Sequence, residues 1–99
     1  MTNFKSPSSD RLFQAILNLE SIEECYAFFD DICTIKEIKD MTQRLDTAIL
    51  LDKEMNYQDI SAKTGISSAT IVRVNKCLKY GSGGYRKAID KLKAQGGEL

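Results

Sequence analysis

The chain has 99 residues, 42% of them hydrophobic, and its 14 Lys and Arg residues balance its 14 Asp and Glu residues. This length suits one compact core rather than two, so we expect a single domain over residues 1–99. The chain has no histidine, and its three cysteines form no CxxC pair. These absences disfavour a structural zinc site and, with no glycine-rich phosphate loop, an enzyme; we expect no metal and no cofactor.

The even balance of charge hides a strong asymmetry along the chain. Residues 1–60 carry six Lys and Arg against twelve Asp and Glu, whereas residues 61–99 carry eight against two. A basic half of this kind suits a polyanion, which the acidic half would repel. The alternative is that the lysines and arginines only solvate one end of the domain.

No segment of the chain is apolar enough to predict a membrane span or a signal peptide. The longest aliphatic run covers residues 48–51, far short of the ~18 residues that a membrane helix needs. We therefore expect a cytoplasmic protein with no membrane partner, and reduced cysteines buried in its interior.

Helix signals dominate the first half of the chain. Ser8 or Ser9 can cap a first helix that ends near Asn18. Ser21 with Glu24 has the form of a capping box and opens a second helix. With almost no helix breakers before the C-terminal fifth of the chain, the sequence predicts an all-α fold.

A long third helix follows, and the front half is unusually rich in apolar residues. Thr34 with Glu37 forms another capping box, and helical periodicity continues to about Lys53. A monomer of this size can hardly bury so many Phe, Ile and Leu side chains, so we expect residues 1–53 to form dimerisation helices of a homodimer. A tightly packed monomeric bundle is the alternative.

Residues 54–79 have the pattern of a helix-turn-helix. Asn56 can cap a short helix from Tyr57 to Lys63, and Ser67 can cap a second one that runs to about Leu78. Gly65 lies at the corner between them, where the backbone must be left-handed. Apolar residues stand at the offsets from this glycine that let two crossed helices share a core: Ile60, Ile66, Ile71, Val74 and Leu78.

The remaining face of the second helix is small near its start and basic toward its middle. It consists of Ser67, Ser68, Ala69, Thr70, Val72, Arg73 and Lys76. Small residues let a helix enter a major groove, while hydroxyl groups and an arginine can donate to base edges and phosphates. We therefore predict contact with double-stranded DNA, with Lys63 as a further candidate; an ordinary solvent-exposed face is the alternative.

The span from about Cys33 to Leu92 resembles the Trp repressor superfamily, in particular the Trp-repressor-like YerC/YecD group of Gram-positive bacteria. The closest part is EMNYQDISAKTGISSATIVRVNKCLK, from Glu54 to Lys79. The resemblance implies about six helices and an intertwined homodimer that presents two helix-turn-helix heads to successive major grooves. By the same resemblance, the DNA-contacting positions of the family fall on Tyr57, Gln58, Ser61, Ser68, Ala69, Thr70 and Val72. Ala69 and Thr70 match the Trp repressor, which implies a DNA-binding protein with a different operator.

The ligand site of the family is matched in part. The Trp repressor holds tryptophan between two arginines, beside a glycine and near a serine. Arg73 corresponds to one arginine, but the other positions fall on Leu45, Val74 and Cys77. Because Val74 would fill the space of the indole, we expect no tryptophan binding, and the sequence identifies no other effector. Arg44 would supply the second cation if the register shifted by one residue.

The C-terminal segment, residues 80–99, predicts one more helix. Tyr80 and Gly81 end the helix before it, and the last helix spans Tyr85 to Gln95. We expect Ala88, Ile89 and Leu92 to face inward, and Arg86, Lys87, Lys91 and Lys93 to face outward, where some could reach phosphates.

Together these features predict a homodimeric, sequence-specific transcriptional regulator, a repressor that does not respond to tryptophan. The alternative is a helical module that kept the helix-turn-helix scaffold and binds another protein.

Overall fold

The computed structural model describes residues 3–99, which form six α-helices and, within that range, no strand. In chain order they are α1 (Pro7–Leu17), α2 (Ile22–Ile32), α3 (Ile35–Asp52), α4 (Tyr57–Thr64), α5 (Ser68–Tyr80) and α6 (Gly84–Ala94). The predicted all-α fold of about six helices is confirmed.

The capping boxes predicted before α2 and α3 set the starts of these helices. The Ser21 hydroxyl accepts a hydrogen bond from the Glu24 amide at 3.1 Å. At α3 both reciprocal bonds of the capping box form. The Glu37 amide donates to Thr34 Oγ1 at 3.1 Å, and the Thr34 amide donates to Glu37 Oε1 at 2.8 Å. These bonds to its charged form lower the pKa of the Glu37 carboxyl.

The start of α1 differs from the prediction. Its N-cap is Ser6, whose hydroxyl accepts from the Ser9 amide at 3.0 Å, rather than Ser8 or Ser9. Pro7 occupies the first helical turn, where its missing N–H costs nothing and its fixed φ suits the helix. The helix therefore begins earlier than the two serines alone suggested.

The contacts within the chain define two units, the first ending at Lys39 and the second spanning Asp40–Leu99. In the first unit, α1 and α2 contain no buried residue. Large apolar side chains are instead exposed along this unit, up to 88% at Ile35; the others include Phe13, Leu17, Ile22, Tyr26 and Ile32.

The second unit has a core of two apolar clusters. One consists of Leu50, Ile60, Ile66 and Ile71, against which Leu51 and Met55 pack. The other consists of Ala48, Val74 and Ile89, against which Ile49, Leu51, Leu78, Tyr85 and Leu99 pack. Leu51 contacts both clusters, so the C-terminal half of α3 supports the helix-turn-helix and α6 together. Burying each large aliphatic side chain contributes about 1.5–3 kcal/mol.

A tight backbone turn connects α3 to α4. The Met55 amide donates to the Leu50 carbonyl at 3.1 Å, and the Glu54 amide donates to the Leu51 carbonyl at 3.0 Å. Glu54 has φ +64°, so this is a Schellman motif with a non-glycine residue in the left-handed position. Met55 packs on the cluster that contains Leu50, which is the apolar contact typical of the motif.

An ion-pair network fixes α6 to the end of α3. Asp52 Oδ1 lies 2.7 Å from Arg86 Nη2, and Asp52 Oδ2 lies 2.5 Å from Lys93 Nζ. Hydrogen bonds from Arg86 and then Lys93 lower the pKa of the Asp52 carboxyl, whose side chain is only 13% exposed. Arg86 also pairs with Asp90 at 3.3 Å. Two of the four cations expected to face solvent on α6 are therefore engaged within the fold.

Several burial predictions for single side chains are wrong for this chain. Ala88 is exposed, because α6 turns only a narrow face, with Ile89 at its centre, toward the core. Cys25 and Cys77 are exposed and Cys33 is only half-buried. Cys25 lies on a helix without buried residues, and Cys77 lies to one side of the buried face of α5.

Gly81 ends α5 as predicted, but not in a left-handed conformation. Its φ is −82°, and its amide donates to the Cys77 carbonyl at 2.9 Å. A Cβ atom at this position would lie 2.4 Å from that carbonyl oxygen, so the position requires glycine for space.

Candidate nucleic-acid interface

Gly65 forms the corner between α4 and α5. Its φ is +75°, in the left-handed region that glycine adopts without steric cost. Its amide donates to the Ser61 carbonyl at 2.9 Å, which closes the last turn of α4.

The polar groups around this corner bond to one another. Ser61 Oγ donates to the Ile66 carbonyl at 2.8 Å, and the Ile66 amide donates to Thr64 Oγ1 at 3.2 Å. Thr64 Oγ1 in turn donates to the Ile60 carbonyl at 2.7 Å. Gln43 Nε2, from α3, donates to the Thr64 carbonyl at 3.1 Å. The corner is therefore rigid, and the hydroxyl proton of Ser61 is already engaged within it.

The start of α5 is held by its cap. Ser67 Oγ accepts from the Thr70 amide at 3.3 Å and lies 3.1 Å from Thr70 Oγ1. Ser67 and Thr70, which we expect to contact DNA, thus also form the cap at the start of the helix that would enter a groove.

Most of the residues expected to contact DNA lie at the surface of the helix-turn-helix. The exposed ones are Tyr57, Gln58, Lys63, Ser67, Ser68, Ala69, Val72, Arg73 and Lys76, whereas Ser61 and Thr70 are half-buried. On α5 the opposite face, with Ile71 and Val74, is buried in the core. Val72, at 52% exposure, is an apolar side chain on the open face.

The cations of this surface are unpaired. Within residues 3–99, neither Arg73 nor Lys76 makes an ion pair or a side-chain hydrogen bond to another group. An uncompensated arginine and lysine beside small polar residues can bind an anion that approaches from outside.

One contact of this surface was not predicted. Asn75 Nδ2 donates to the Tyr57 hydroxyl oxygen at 2.9 Å, which joins the first residue of α4 to the middle of α5. Asn75 matches no apolar offset and no capping pattern, so only the three-dimensional packing of the two helices identifies it.

The positions expected to form an effector cleft are in different environments. Val74 is 3% exposed and packs with Ala48 and Ile89. Leu45 is half-buried, whereas Arg73 and Cys77 are exposed.

A tyrosine from α6 lies among the charged groups of this region. Burial raises the pKa of the Tyr85 hydroxyl and the nearby Cys77 raises it further, while Arg44 and Arg73 oppose these effects. Arg44 is therefore the cation on α3 whose charge acts at Tyr85 together with that of Arg73. Leu45, the position that the resemblance indicated, carries no charge. Arg44 also lines an open cleft of about 280 Å³ between α3 and the start of α5, with Asp40, Gln43, Ile66, Ser67 and Thr70.

Within residues 3–99, no group of three or more His, Cys, Asp or Glu side chains is placed to hold a metal ion. None of the helices described there is both long enough and apolar enough to cross a membrane.

Two short helices that meet at a left-handed glycine and pack on a longer helix define a helix-turn-helix protein. Residues 8–93 match the family model described as Trp repressor protein. Over 84 residues, 85% of this chain and 81% of the other, the sequence is 50% identical to the "Uncharacterized protein YerC" of Bacillus subtilis (strain 168). The chain belongs to the Trp repressor family, as the resemblance indicated.

Solved structures show the same relationship. A TrpR-like protein from Eubacterium eligens has a TM-score of 0.87 and 46% identity, with 90% of this chain and 92% of that chain covered. A Staphylococcus aureus protein that is proposed to be a Trp repressor has a TM-score of 0.86 and 42% identity, with 90% and 89% covered. The family is one of helix-turn-helix regulators rather than of enzymes.

Proposed function

We propose that this protein is a sequence-specific, DNA-binding transcriptional repressor that acts in the cytoplasm as a homodimer. The observation that carries the proposal is the division of α5 into a buried face, with Ile71 and Val74, and an exposed face with unpaired Arg73 and Lys76. Membership of a family of helix-turn-helix regulators supports the same function.

In this proposal the first turns of α5 enter the major groove. Ser68 and Thr70 offer hydroxyl groups to base edges, and the exposed Ala69 and Val72 can contact thymine methyl groups. Arg73 can donate two parallel hydrogen bonds to a guanine or a phosphate.

Contacts to the phosphate backbone would come from the edges of the head. Tyr57, Gln58 and Lys63 on α4 are exposed, as is Lys76 farther along α5. Such contacts position the head on the duplex without reading sequence. Ser61 can contribute only acceptor capacity, since its proton is donated to Ile66.

The proposed homodimer is supported by the first unit. This unit exposes the apolar side chains of Leu17, Ile22, Tyr26 and Ile35. A small monomeric protein rarely exposes this much apolar surface to water, and a second copy of the chain would cover it. In this arrangement residues 1–53 dimerise, residues 54–79 form the head and residues 80–99 brace it. Two heads about 34 Å apart would bind a palindromic site.

We also propose that the repressor does not respond to tryptophan. Val74 packs into the core beside Ala48 and Ile89, and Tyr85 from α6 packs on the same cluster. Side chains of the protein thus pack around Val74, where the Trp repressor has a glycine, and the sequence suggests no particular effector.

A protein-interaction module is the second candidate. Its support is that α5 also exposes apolar side chains, Val72 and Tyr80, the latter at 82%. The two functions differ in their response to salt, because DNA binding releases counterions and weakens steeply, whereas a mainly apolar protein interface does not.

The test is selection of bound sequences from a pool of random duplexes by the purified full-length chain at moderate salt. Enrichment of a palindrome with half-sites about one helical turn apart, and loss of binding as salt rises, is the expected result. Negligible retention with no enriched motif would favour the protein-interaction module. Sedimentation of the free protein as a monomer would contradict the homodimer separately.

A further inference from the structure

The bond between Asn75 and Tyr57 has a direction that matters for binding. Asn75 Nδ2 is the donor and the phenolic oxygen of Tyr57 is the acceptor, at 2.9 Å. A tyrosine hydroxyl can both donate and accept, so this bond uses its acceptor function and leaves its own hydrogen to be donated elsewhere.

No described residue receives that hydrogen. Among residues 3–99, the hydroxyl of Tyr57 makes no other hydrogen bond, and the side chain is 37% exposed. Asn75 on α5 is half-buried, and its hydrogen bond to Tyr57 connects α5 to α4. The Asn75 amide therefore restrains the Tyr57 hydroxyl, which remains a potential donor at the edge of the head. Tyr57 lies outside both apolar clusters.

We propose that Asn75 is a positioning residue which holds Tyr57 as a donor to a DNA backbone phosphate. The inference rests on the proposed DNA-binding function and assigns one contact within it. A phosphate oxygen is an acceptor at every sequence, whereas base edges present both donors and acceptors, so a hydroxyl with its acceptor function filled suits the backbone best. A restrained ring also loses less rotational freedom when it binds.

The experiment measures the affinity of the full-length chain and its variants for two duplexes of about three helical turns, one selected and one of mixed sequence. Tyr57→Phe keeps the ring and removes the donor, and it should weaken binding to both duplexes by about tenfold. Asn75→Leu keeps the branched shape of the side chain and removes the amide, and it should weaken binding by a smaller factor.

The double variant separates positioning from a direct or structural role. If Asn75 acts through the Tyr57 hydroxyl, Asn75→Leu should have no further effect in the Tyr57→Phe background. Tyr80→Phe, the same change at an exposed tyrosine beyond the proposed contacts, is the matched control and should bind like the unmodified chain.

Each other outcome contradicts the inference in a different way. Unchanged affinity in Tyr57→Phe would overturn the phosphate contact, and additive losses in the double variant would overturn the positioning role of Asn75. A loss confined to the selected duplex would assign Tyr57 to a base instead. If the unmodified chain binds neither duplex, the proposed function fails and this inference fails with it.

Discussion

Gln43, on α3, donates its side-chain amide to the carbonyl oxygen of Thr64 at 3.1 Å. That carbonyl belongs to the last residue of α4, just before the left-handed glycine, where no helical N–H is available to it. One side chain from the long helix thus satisfies the end of the first helix of the head.

Gln43→Leu should therefore destabilise the fold by about 1 kcal/mol, because the half-buried Thr64 carbonyl loses its donor. The measurement is urea unfolding followed by circular dichroism. Gln58→Leu, on the exposed surface of α4, is the control and should change stability by less than about 0.5 kcal/mol. Equal losses in both variants would show that the bond contributes nothing specific.

Gly65→Ala should destabilise the protein by about 1–2 kcal/mol. A Cβ atom at Gly65 meets nothing within 4 Å, so the cost comes from the left-handed backbone alone. Gly84→Ala is the matched control, since its Cβ also has open space and its φ is outside the left-handed region. That variant should be neutral or more stable by up to about 1 kcal/mol, measured by the same unfolding experiment.

The Asp52 network predicts a loss of stability in acid. Its cationic partners lower the pKa of Asp52 in the folded state. The stabilisation is therefore complete above the ordinary aspartate pKa of about 3.9 and is lost as pH falls through the lower folded value. Thermal melts at a series of pH values should show this loss.

Asp52→Asn should lower stability at neutral pH by about 1 kcal/mol and reduce the further loss in acid. Asp90→Asn removes a more exposed carboxylate from the same network and should have a smaller effect. An acid profile that is the same in Asp52→Asn as in the unmodified chain would mean that other carboxylates control it.

Arg73→Ala should weaken binding to the selected duplex by tenfold or more, since a bidentate contact discriminates by about 1–3 kcal/mol. Fluorescence anisotropy measures the affinity, and a thermal melt should show an intact fold because Arg73 is exposed. Lys79→Ala, which removes a positive charge from the last turn of the same helix, should cost less. Unfolding of the Arg73 variant would identify it as a structural residue instead.

Millimolar tryptophan should change neither the melting temperature nor the affinity for DNA. A ligand that binds only the folded state raises the melting temperature further as its concentration exceeds its dissociation constant, so an unchanged melting temperature shows that binding is absent or very weak. The physical reason is Val74, a branched and buried side chain at the position where the Trp repressor has the glycine that leaves room for the indole. A rise in both quantities would refute this expectation.

Local signals predicted α2, α3, α4 and α5 well, because a capping side chain within a few residues determines where these helices begin. Thr34 with Glu37 is the clearest case, since both predicted bonds form. The start of α1 was displaced because Pro7 favours the first helical turn more strongly than the following serines favour a cap.

Contacts between distant residues could not be predicted in the same way. Gln43 and Thr64 are 21 residues apart, and Tyr57 and Asn75 are 18 apart. Their pairing depends on how α3, α4 and α5 cross, which hydrophobic periodicity does not specify. The ion pair between Arg86 and Asp52 depends in the same way on how α6 packs against α3. The charge of Arg86 alone predicted that its side chain faces solvent.

The Asp52 network also limits how strongly the basic half can attract a polyanion. Of the eight Lys and Arg residues in positions 61–99, Arg86 and Lys93 are neutralised by a carboxylate of the same chain. The other six make no ion pair within the described residues: Lys63, Arg73, Lys76, Lys79, Lys87 and Lys91. Within residues 61–99, a bound duplex would therefore exchange no more than about six condensed counterions for unpaired protein cations. Asp52 thus lowers the number of cations that residues 61–99 can offer to a polyanion.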